Sequence, residues 1–218
     1  MSKILKGLLL GMVASFLVVG SAAALPIFEE SFEAVVPFSG HIQVDKGGTI
    51  GQFKVLDGNI DWIGTTWDAS DGLNSLDMSG SQLGTIAAIN LQTEIGKTYE
   101  VSFDMAGNYA GAPTIKTMYA SVQPLYAAHF FQFDSTGMSS DNMGWVNKSF
   151  QFQAYATDTE LRFDDMSSHD GGAFYGAALD NIVVNAVVSA PVPEPATMML
   201  FGIGLLGLAG ITRNRKKA

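Results

Sequence analysis

Aromatic and acidic side chains lie close together between Trp62 and Asp71, and these residue types suit sugar binding. A pyranose ring has an apolar side that an aromatic ring can cover, and its hydroxyl groups pair with carboxylates and amides. Two residues separate Trp67 from the predicted turn Ser70-Asp71-Gly72, which indicates an exposed position for the Trp67 ring. We therefore predict a carbohydrate-binding site formed by Trp67, Asp71 and Tyr109. The alternative is that Trp67 packs into the core.

Catalysis has less support than binding. The three histidines, His41, His129 and His169, do not form a His-Glu-x-x-His pattern, and no Gly-x-Ser-x-Gly motif marks a serine nucleophile. A glycosidase needs only two carboxylates, so a polysaccharide hydrolase stays an alternative. Most acidic residues, however, lie in predicted turns or on the polar faces of predicted strands, where their charge needs no catalytic explanation. We therefore predict that the protein is not an enzyme.

Negative charge is concentrated between the two ends of the chain. Residues 25–190 include six basic and twenty acidic residues, a formal net charge of −14. Such a surface repels phosphate backbones, so we predict that nucleic acid is not a partner. An acidic surface often serves solubility alone, and the alternative is that part of it binds a divalent cation. The chain has no cysteine, so no disulfide stabilises the fold.

The spacing of apolar residues in this segment predicts β-strands. Residues 99–105 alternate apolar and polar side chains, which is the pattern of a strand with one buried face. The predicted strands lie at 50–56, 75–78, 83–91, 99–105, 115–122, 129–133, 148–156, 159–165 and 179–187. Turn-forming clusters of Asp, Asn, Ser and Gly separate them, and no convincing helix interrupts them. The pattern indicates one all-β domain over residues 25–190, a jelly-roll β-sandwich.

The first 24 residues have the organisation of a secretory signal peptide. Lys3 and Lys6 form a positively charged start, a largely apolar stretch follows, and Ala22-Ala23-Ala24 provides the small residues of a cleavage site. We predict cleavage after Ala24 and export of the domain that follows. An uncleaved anchor helix is the alternative.

The other end of the chain combines an apolar segment with a basic terminus. Residues 196–211 hold sixteen residues without a charge, and the basic end at 213–217 follows. A helix of that length spans about 24 Å, somewhat less than a hydrocarbon core of about 30 Å. The basic residues favour the cytoplasmic side, which leaves the acidic domain outside. We predict that residues 196–211 form a short transmembrane helix, so that the membrane itself is one of the partners.

The residues before and after that segment sharpen the prediction. Pro193, Glu194 and Pro195, the glycine-rich apolar segment and the basic end occur in the order of a PEP-CTERM sorting tail, which residues 191–218 resemble. The resemblance implies recognition by an exosortase-type sorting enzyme in a Gram-negative bacterium. It also implies passage from the inner membrane to the cell surface or to the extracellular polysaccharide matrix.

The interior motifs also resemble a family. They are Glu-Ser-Phe-Glu at 30–33 and the segments 61–86, 96–108 and 178–184, in that order. Together they are similar to the choice-of-anchor C domain and to a plant cell-wall domain, domain of unknown function 642. The resemblance implies a galactose-binding-like jelly roll associated with polysaccharide. Glu29-Glu30 replaces the Asn-Gly with which the family motif begins.

The resemblance to jelly-roll carbohydrate-binding modules further implies a structural Ca²⁺ ion that joins the first strand to the last. Glu33 and Asp180 are the acids at the matching places, and Ca²⁺ prefers such oxygen ligands. The alternative is that Glu33 is a surface residue and that Asp180 only hydrogen-bonds a turn.

Taken together, these features predict an exported, non-catalytic protein of the cell surface or extracellular matrix that binds or organises polysaccharide. A structural matrix or adhesion protein with no discrete sugar site is the main alternative. A polysaccharide-processing hydrolase is the weaker one.

Overall fold

The computed structural model describes residues 25–34, 36–124, 127–167, 174–187 and 202–204. Within them the chain forms short strands separated by tight turns. The strands are β1 (Phe28–Glu30), β2 (His41–Asp45), β3 (Thr49–Ile50), β4 (Phe53–Asp57), β5 (Asn59–Ile63), β6 (Ser75–Asp77), β7 (Thr85–Ala88), β8 (Leu91–Gln92), β9 (Thr98–Gly107), β10 (Ile115–Gln123), β11 (Ala127–Asp134), β12 (Val146–Gln153), β13 (Asp158–Asp165) and β14 (Ala177–Ala186).

The strands form two antiparallel sheets that pack face to face. Sheet A has the strand order β12-β9-β14-β6-β5-β2, and β1 also pairs with β14. Sheet B has the order β11-β10-β13-β7-β4-β3, and β8 also pairs with β13. The chain crosses repeatedly between the sheets, for example from β9 to β10 and from β13 to β14. The predicted all-β sandwich is therefore confirmed.

The core lies between the sheets and follows the predicted alternation. In β9, Tyr99, Val101, Phe103 and Met105 are buried, as the sequence pattern indicates. The ring of Phe103 meets Phe131 and Phe163 of sheet B edge-on, with 5.1 Å between ring centroids in each pair. Burial of such large apolar side chains, each worth about 1.5–3 kcal/mol, is the main force that holds the sheets together.

Three strands of the structure, β1, β2 and β5, were not among the predicted ones. The most consequential is β5, because Trp62, the first residue of the aromatic and acidic stretch 62–71, lies in this strand and not in a loop as expected from the turn residues that follow it. Asn59 at the start of β5 is polar yet buried, which obscures the alternation. β2 lies at the edge of sheet A and is largely exposed on both faces, so its sequence carries little apolar signal.

The predicted signal peptide and nearly all of the predicted sorting tail lie outside the described residues. Of the tail, only 202–204 are described, and they are helical. The described part of the chain contains no helix with the length and apolar character needed to cross a membrane.

Candidate functional site

The face of sheet A that points away from sheet B carries polar side chains. Asp61 of β5 and Asp77 of β6 are directly opposite each other in the strand register, so their side chains emerge on the same face. Ile60 and Leu76 point to the other face and are fully buried in the core. This outer face of sheet A is the part of the sandwich on which loops build cavities.

Loop 64–74 covers part of the outer face, and Trp67 anchors it. The Trp67 side chain is only 5% exposed. Its Nε1 donates a hydrogen bond of 2.9 Å to Ser75 Oγ. The expectation of an exposed Trp67 ring is therefore wrong, because burying the indole on the sheet gains more free energy than leaving it in water.

A cleft of about 280 Å³ opens beside this loop on the outer face. We call it the outer cleft. Loop 64–74, the residues after β9 and the residues before β14 surround it. Its lining includes His41, Asp61, Trp67, Asn108, Tyr109 and Tyr175. It therefore combines aromatic rings with carboxylate, imidazole and amide groups in one concave place, which is the usual composition of a ligand site.

Asp77 fixes the position of two sides of the outer cleft. Its Oδ2 accepts a hydrogen bond of 2.7 Å from Asn108 Nδ2, and its Oδ1 accepts one of 3.0 Å from the Gly176 backbone N–H. Asn108 in turn accepts a hydrogen bond from the Ala110 N–H. Complete burial raises the pKa of Asp77 well above its usual value, although the hydrogen bond from Asn108 opposes the shift. Both Asp77 oxygens are thus committed to holding the structure.

Lys116 connects the segments after β9 and before β14, which form the same two sides of the outer cleft. Its buried Nζ donates to the carbonyl oxygens of Gly111 at 2.9 Å and Tyr175 at 2.6 Å. Burial lowers the pKa of Lys116. Its stem lies so close to Gly107 that a Cβ there would overlap it. Lys116 thereby ties together the segments that carry Tyr109 and Tyr175.

Asp61 differs from these residues because one of its oxygens is unused. Its Oδ1 is buried but has no hydrogen-bond partner in the described part of the protein. Its Oδ2 lies 3.9 Å from His41 Nε2, too far for a hydrogen bond. Partial burial raises the pKa of Asp61, and the nearby His41 opposes that shift.

Glu33 and Asp180 hold loop 64–74 at its other end, and we call these two residues the acid clamp. Asp180 Oδ2 accepts hydrogen bonds of 2.8 and 2.9 Å from the N–H groups of Ser70 and Asp71. Glu33 Oε1 accepts two of 2.9 Å from Leu73 and Asn74. Burial raises the pKa of Asp180 to about 7, although three backbone N–H donors oppose the shift.

The predicted calcium ion stays a prediction, and these contacts do not favour it. Both acid-clamp carboxylates face N–H donors of one loop, whereas Ca²⁺ requires six to eight oxygen ligands around it. Among the residues that the structure describes, no group of three or more histidine or acidic side chains is arranged to hold a metal.

The predicted carbohydrate residues do not all meet. Trp67 and Tyr109 line the outer cleft. Asp71 instead lines an acidic cavity of about 400 Å³ with Glu29, Glu30 and Glu33. A third cavity, of about 510 Å³, lies on the other side of Trp67. Its amide residue, Asn74, already hydrogen-bonds Ala34 and Ile63, and two acids, Asp68 and Asp141, also line it.

Sequence reasoning missed His41, Asp61, Asn108 and Tyr175 as cleft residues. The signal for Asp61 was weak: Ile60 and Trp62 are apolar on either side of it, but buried Asn59 and Ile63 share its face of the strand and obscure the alternation. No local signal marks Tyr175, because only the folded chain brings it near Tyr109.

Comparison with known proteins places the chain in a family. Residues 27–185 match the family described as "Protein of unknown function (DUF642)", and the chain belongs to it. Residues 191–216 match the PEP-CTERM protein-sorting motif, which includes Pro193, Glu194 and Pro195. The predicted family and sorting motif are therefore confirmed. The motif implies an exported protein that is sorted at the cell envelope.

Among curated proteins, the chain is similar to Halomucin of Haloquadratum walsbyi, with 26% identity over 132 residues. The match covers 61% of this chain but only 1% of the length of Halomucin.

Among solved structures, similar folds occur in several carbohydrate-related proteins. The CBM22-1 xylan-binding domain of Paenibacillus barcinonensis Xyn10C is 16% identical, with a TM-score of 0.45 over 78% of this chain and 100% of that one. The C-terminal CBM6 of LamC from Zobellia galactanivorans is 9% identical, with a TM-score of 0.42 over 67% of this chain and 99% of that one. An exo-β-1,3-galactanase of Phanerochaete chrysosporium is 18% identical, with a TM-score of 0.37 over 67% of this chain and 30% of that one.

Proposed function

We propose that this chain is an exported, non-catalytic protein of the cell surface or extracellular matrix that binds polysaccharide in the outer cleft. The observation that carries the proposal is the composition of this cleft. Tyr109 and Tyr175 line it together with Asp61 and Asn108. The rings suit the apolar side of a sugar, and the Asp61 carboxylate suits its hydroxyl groups, whereas the Asn108 amide already makes hydrogen bonds within the protein.

The carboxylates that line the outer cleft favour binding without catalysis. A glycosidase uses two carboxyl groups on opposite sides of the bond that breaks. Asp61 and Asp77 both line the outer cleft, but the two Asp77 oxygens accept hydrogen bonds from Asn108, Ser79 and Gly176. Of the two acids that line the cleft, only Asp61 therefore has a carboxylate that makes no hydrogen bond to the described residues.

The sorting motif supports the location. The motif implies export and sorting at the cell envelope, where polysaccharide of the surface and matrix is accessible to the domain. Delivery would involve an exosortase-type enzyme and the tail at 191–218.

Binding to a glycan array and to the producing organism's own polysaccharide tests this function. We expect Tyr109→Ala to lose at least about tenfold in affinity, because the ring covers part of the sugar. Tyr155→Ala is the matched control, since Tyr155 is 57% exposed and does not line the cleft.

Failure of the wild-type protein to bind any glycan would contradict the proposal and leave a structural matrix protein as the better description. Release of reducing ends from the native polysaccharide would instead reveal a hydrolase.

A further inference from the structure

The charge of the outer cleft is one-sided. Asp61 and Asp77 are its acidic residues, although burial favours the neutral form of Asp77, and His41 is the only described residue of its lining that can carry a positive charge. The Lys116 ammonium lies behind the wall and donates to two backbone carbonyl oxygens, so it is not presented to a ligand. A ligand in the cleft therefore meets a carboxylate that is not paired with a cation.

Asp61 is the group in this cleft that lacks a partner. A half-buried carboxylate that makes no hydrogen bond loses water without compensation, which costs free energy until a donor arrives. His41 Nε2 is 3.9 Å from Asp61 Oδ2, and the His41 side chain is 57% exposed, so water screens their interaction. The unpaired Oδ1 is enclosed, but the Asp61 side chain keeps 18% of its surface exposed, and Oδ2 makes no hydrogen bond to the described residues. An incoming donor can thus bind Oδ2 without displacing an existing hydrogen bond.

We propose that the outer cleft selects sugars that carry a free amino group, whose ammonium pairs with Asp61, and that it rejects acidic sugars. This inference rests on the function proposed above, because it names the class of glycan for the same cleft. An ammonium donates up to three hydrogen bonds and supplies the positive charge that the cleft lacks. A uronate brings a second negative charge beside Asp61 and has no cation in the lining with which to pair.

The rest of the cleft is compatible with such a sugar. Tyr109 and Tyr175 provide aromatic surface, and aromatic rings attract cations as well as apolar groups. The formal charge of −14 on residues 25–190 also attracts a cationic polymer over longer distances and repels an acidic one.

Calorimetric titration with three oligosaccharides of equal length tests the inference: one of glucosamine, one of N-acetylglucosamine and one of galacturonic acid. At mildly acidic pH, where the free amines are protonated, we expect the glucosamine oligomer to bind about tenfold more tightly than the N-acetylated one. We expect the galacturonate oligomer to bind more weakly than both. Added salt reduces the preference, because it screens the charges.

Asp61→Asn removes the charge and keeps the shape, so it abolishes the preference for the free amine. Asp71→Asn is the matched control, because Asp71 lines the acidic cavity and not the outer cleft. Equal affinity for the three oligosaccharides, or a preference that survives in Asp61→Asn, overturns this inference but leaves sugar binding intact. Absence of binding to all three and to the glycan array overturns the proposed function together with it.

Discussion

The acid clamp and the outer cleft lie on either side of loop 64–74 and use carboxylates differently. In the clamp, Glu33 and Asp180 accept hydrogen bonds from four backbone N–H groups of the loop, at Ser70, Asp71, Leu73 and Asn74. In the cleft, Asp61 keeps a buried oxygen without a partner. This domain has many acidic residues, so the presence of a carboxylate says little about function. A carboxylate that makes no hydrogen bond is the more informative observation.

The largest effect that tests this comparison is the pH dependence of stability. Asp180 has a pKa of about 7 in the folded protein against 3.8 as its usual value. Its contribution to stability is therefore complete below the unfolded pKa and is lost as the pH rises towards 7. At about 1.4 kcal/mol per pKa unit, this loss is at most about 4 kcal/mol. Buried Asp77 and Asp165 are shifted in the same direction.

Urea unfolding at a series of pH values measures this loss. We expect the wild-type free energy of unfolding to decrease across the mildly acidic range, and Asp180→Asn to show a flatter profile. Asp158→Asn removes an exposed charge on a strand of sheet B and should keep the wild-type profile. An unchanged profile for Asp180→Asn would show that Asp180 does not take up a proton on folding.

A smaller effect is expected at the other half of the clamp. Glu33→Ala leaves the N–H groups of Leu73 and Asn74 without their acceptor, which costs about 2 kcal/mol. Glu33→Gln keeps an acceptor oxygen and should cost less. Glu29→Ala is the control, since Glu29 is an exposed acid of the same cavity. If Glu33→Ala and Glu29→Ala melt alike, Glu33 does not hold the loop.

Replacement of Asp61 should not destabilise the protein, in contrast to replacement of Glu33. Asp61→Asn removes a half-buried charge that makes no hydrogen bond, so we expect the free energy of unfolding to stay level or rise by up to about 1 kcal/mol. Asp158→Asn, at an exposed strand position, is the comparison variant. A loss of stability of the size seen for Glu33→Ala would assign Asp61 to the structure and remove the contrast between the two regions.

The smallest effect concerns calcium. If the acid clamp holds only backbone N–H groups, neither added Ca²⁺ nor a chelator shifts the melting temperature of the wild-type protein. A rise with Ca²⁺ that disappears in Glu33→Gln would instead support the ion predicted from the sequence.

The sequence contained most of the fold and part of the site. Alternation in β9, β12, β13 and β14 predicts their buried faces because a strand exposes one side to each environment. Residue type pointed to Tyr109, and the family resemblance pointed to Glu33 and Asp180, although the structure gives these two acids hydrogen-bonding contacts with a loop. The sequence did not reveal β2 at the sheet edge or Asp61 in the cleft.

What the sequence alone determined is therefore local: strand periodicity, turn residues, the acidic composition of the domain and the sorting motif at the end of the chain. Tertiary structure decided which polar groups meet and which of them stay free. Tyr109 and Tyr175 are far apart along the chain and come together only because Lys116 and Asp77 bind both segments. Trp67 is buried because loop 64–74 folds back on sheet A, and no pattern in neighbouring residues encodes that long-range contact.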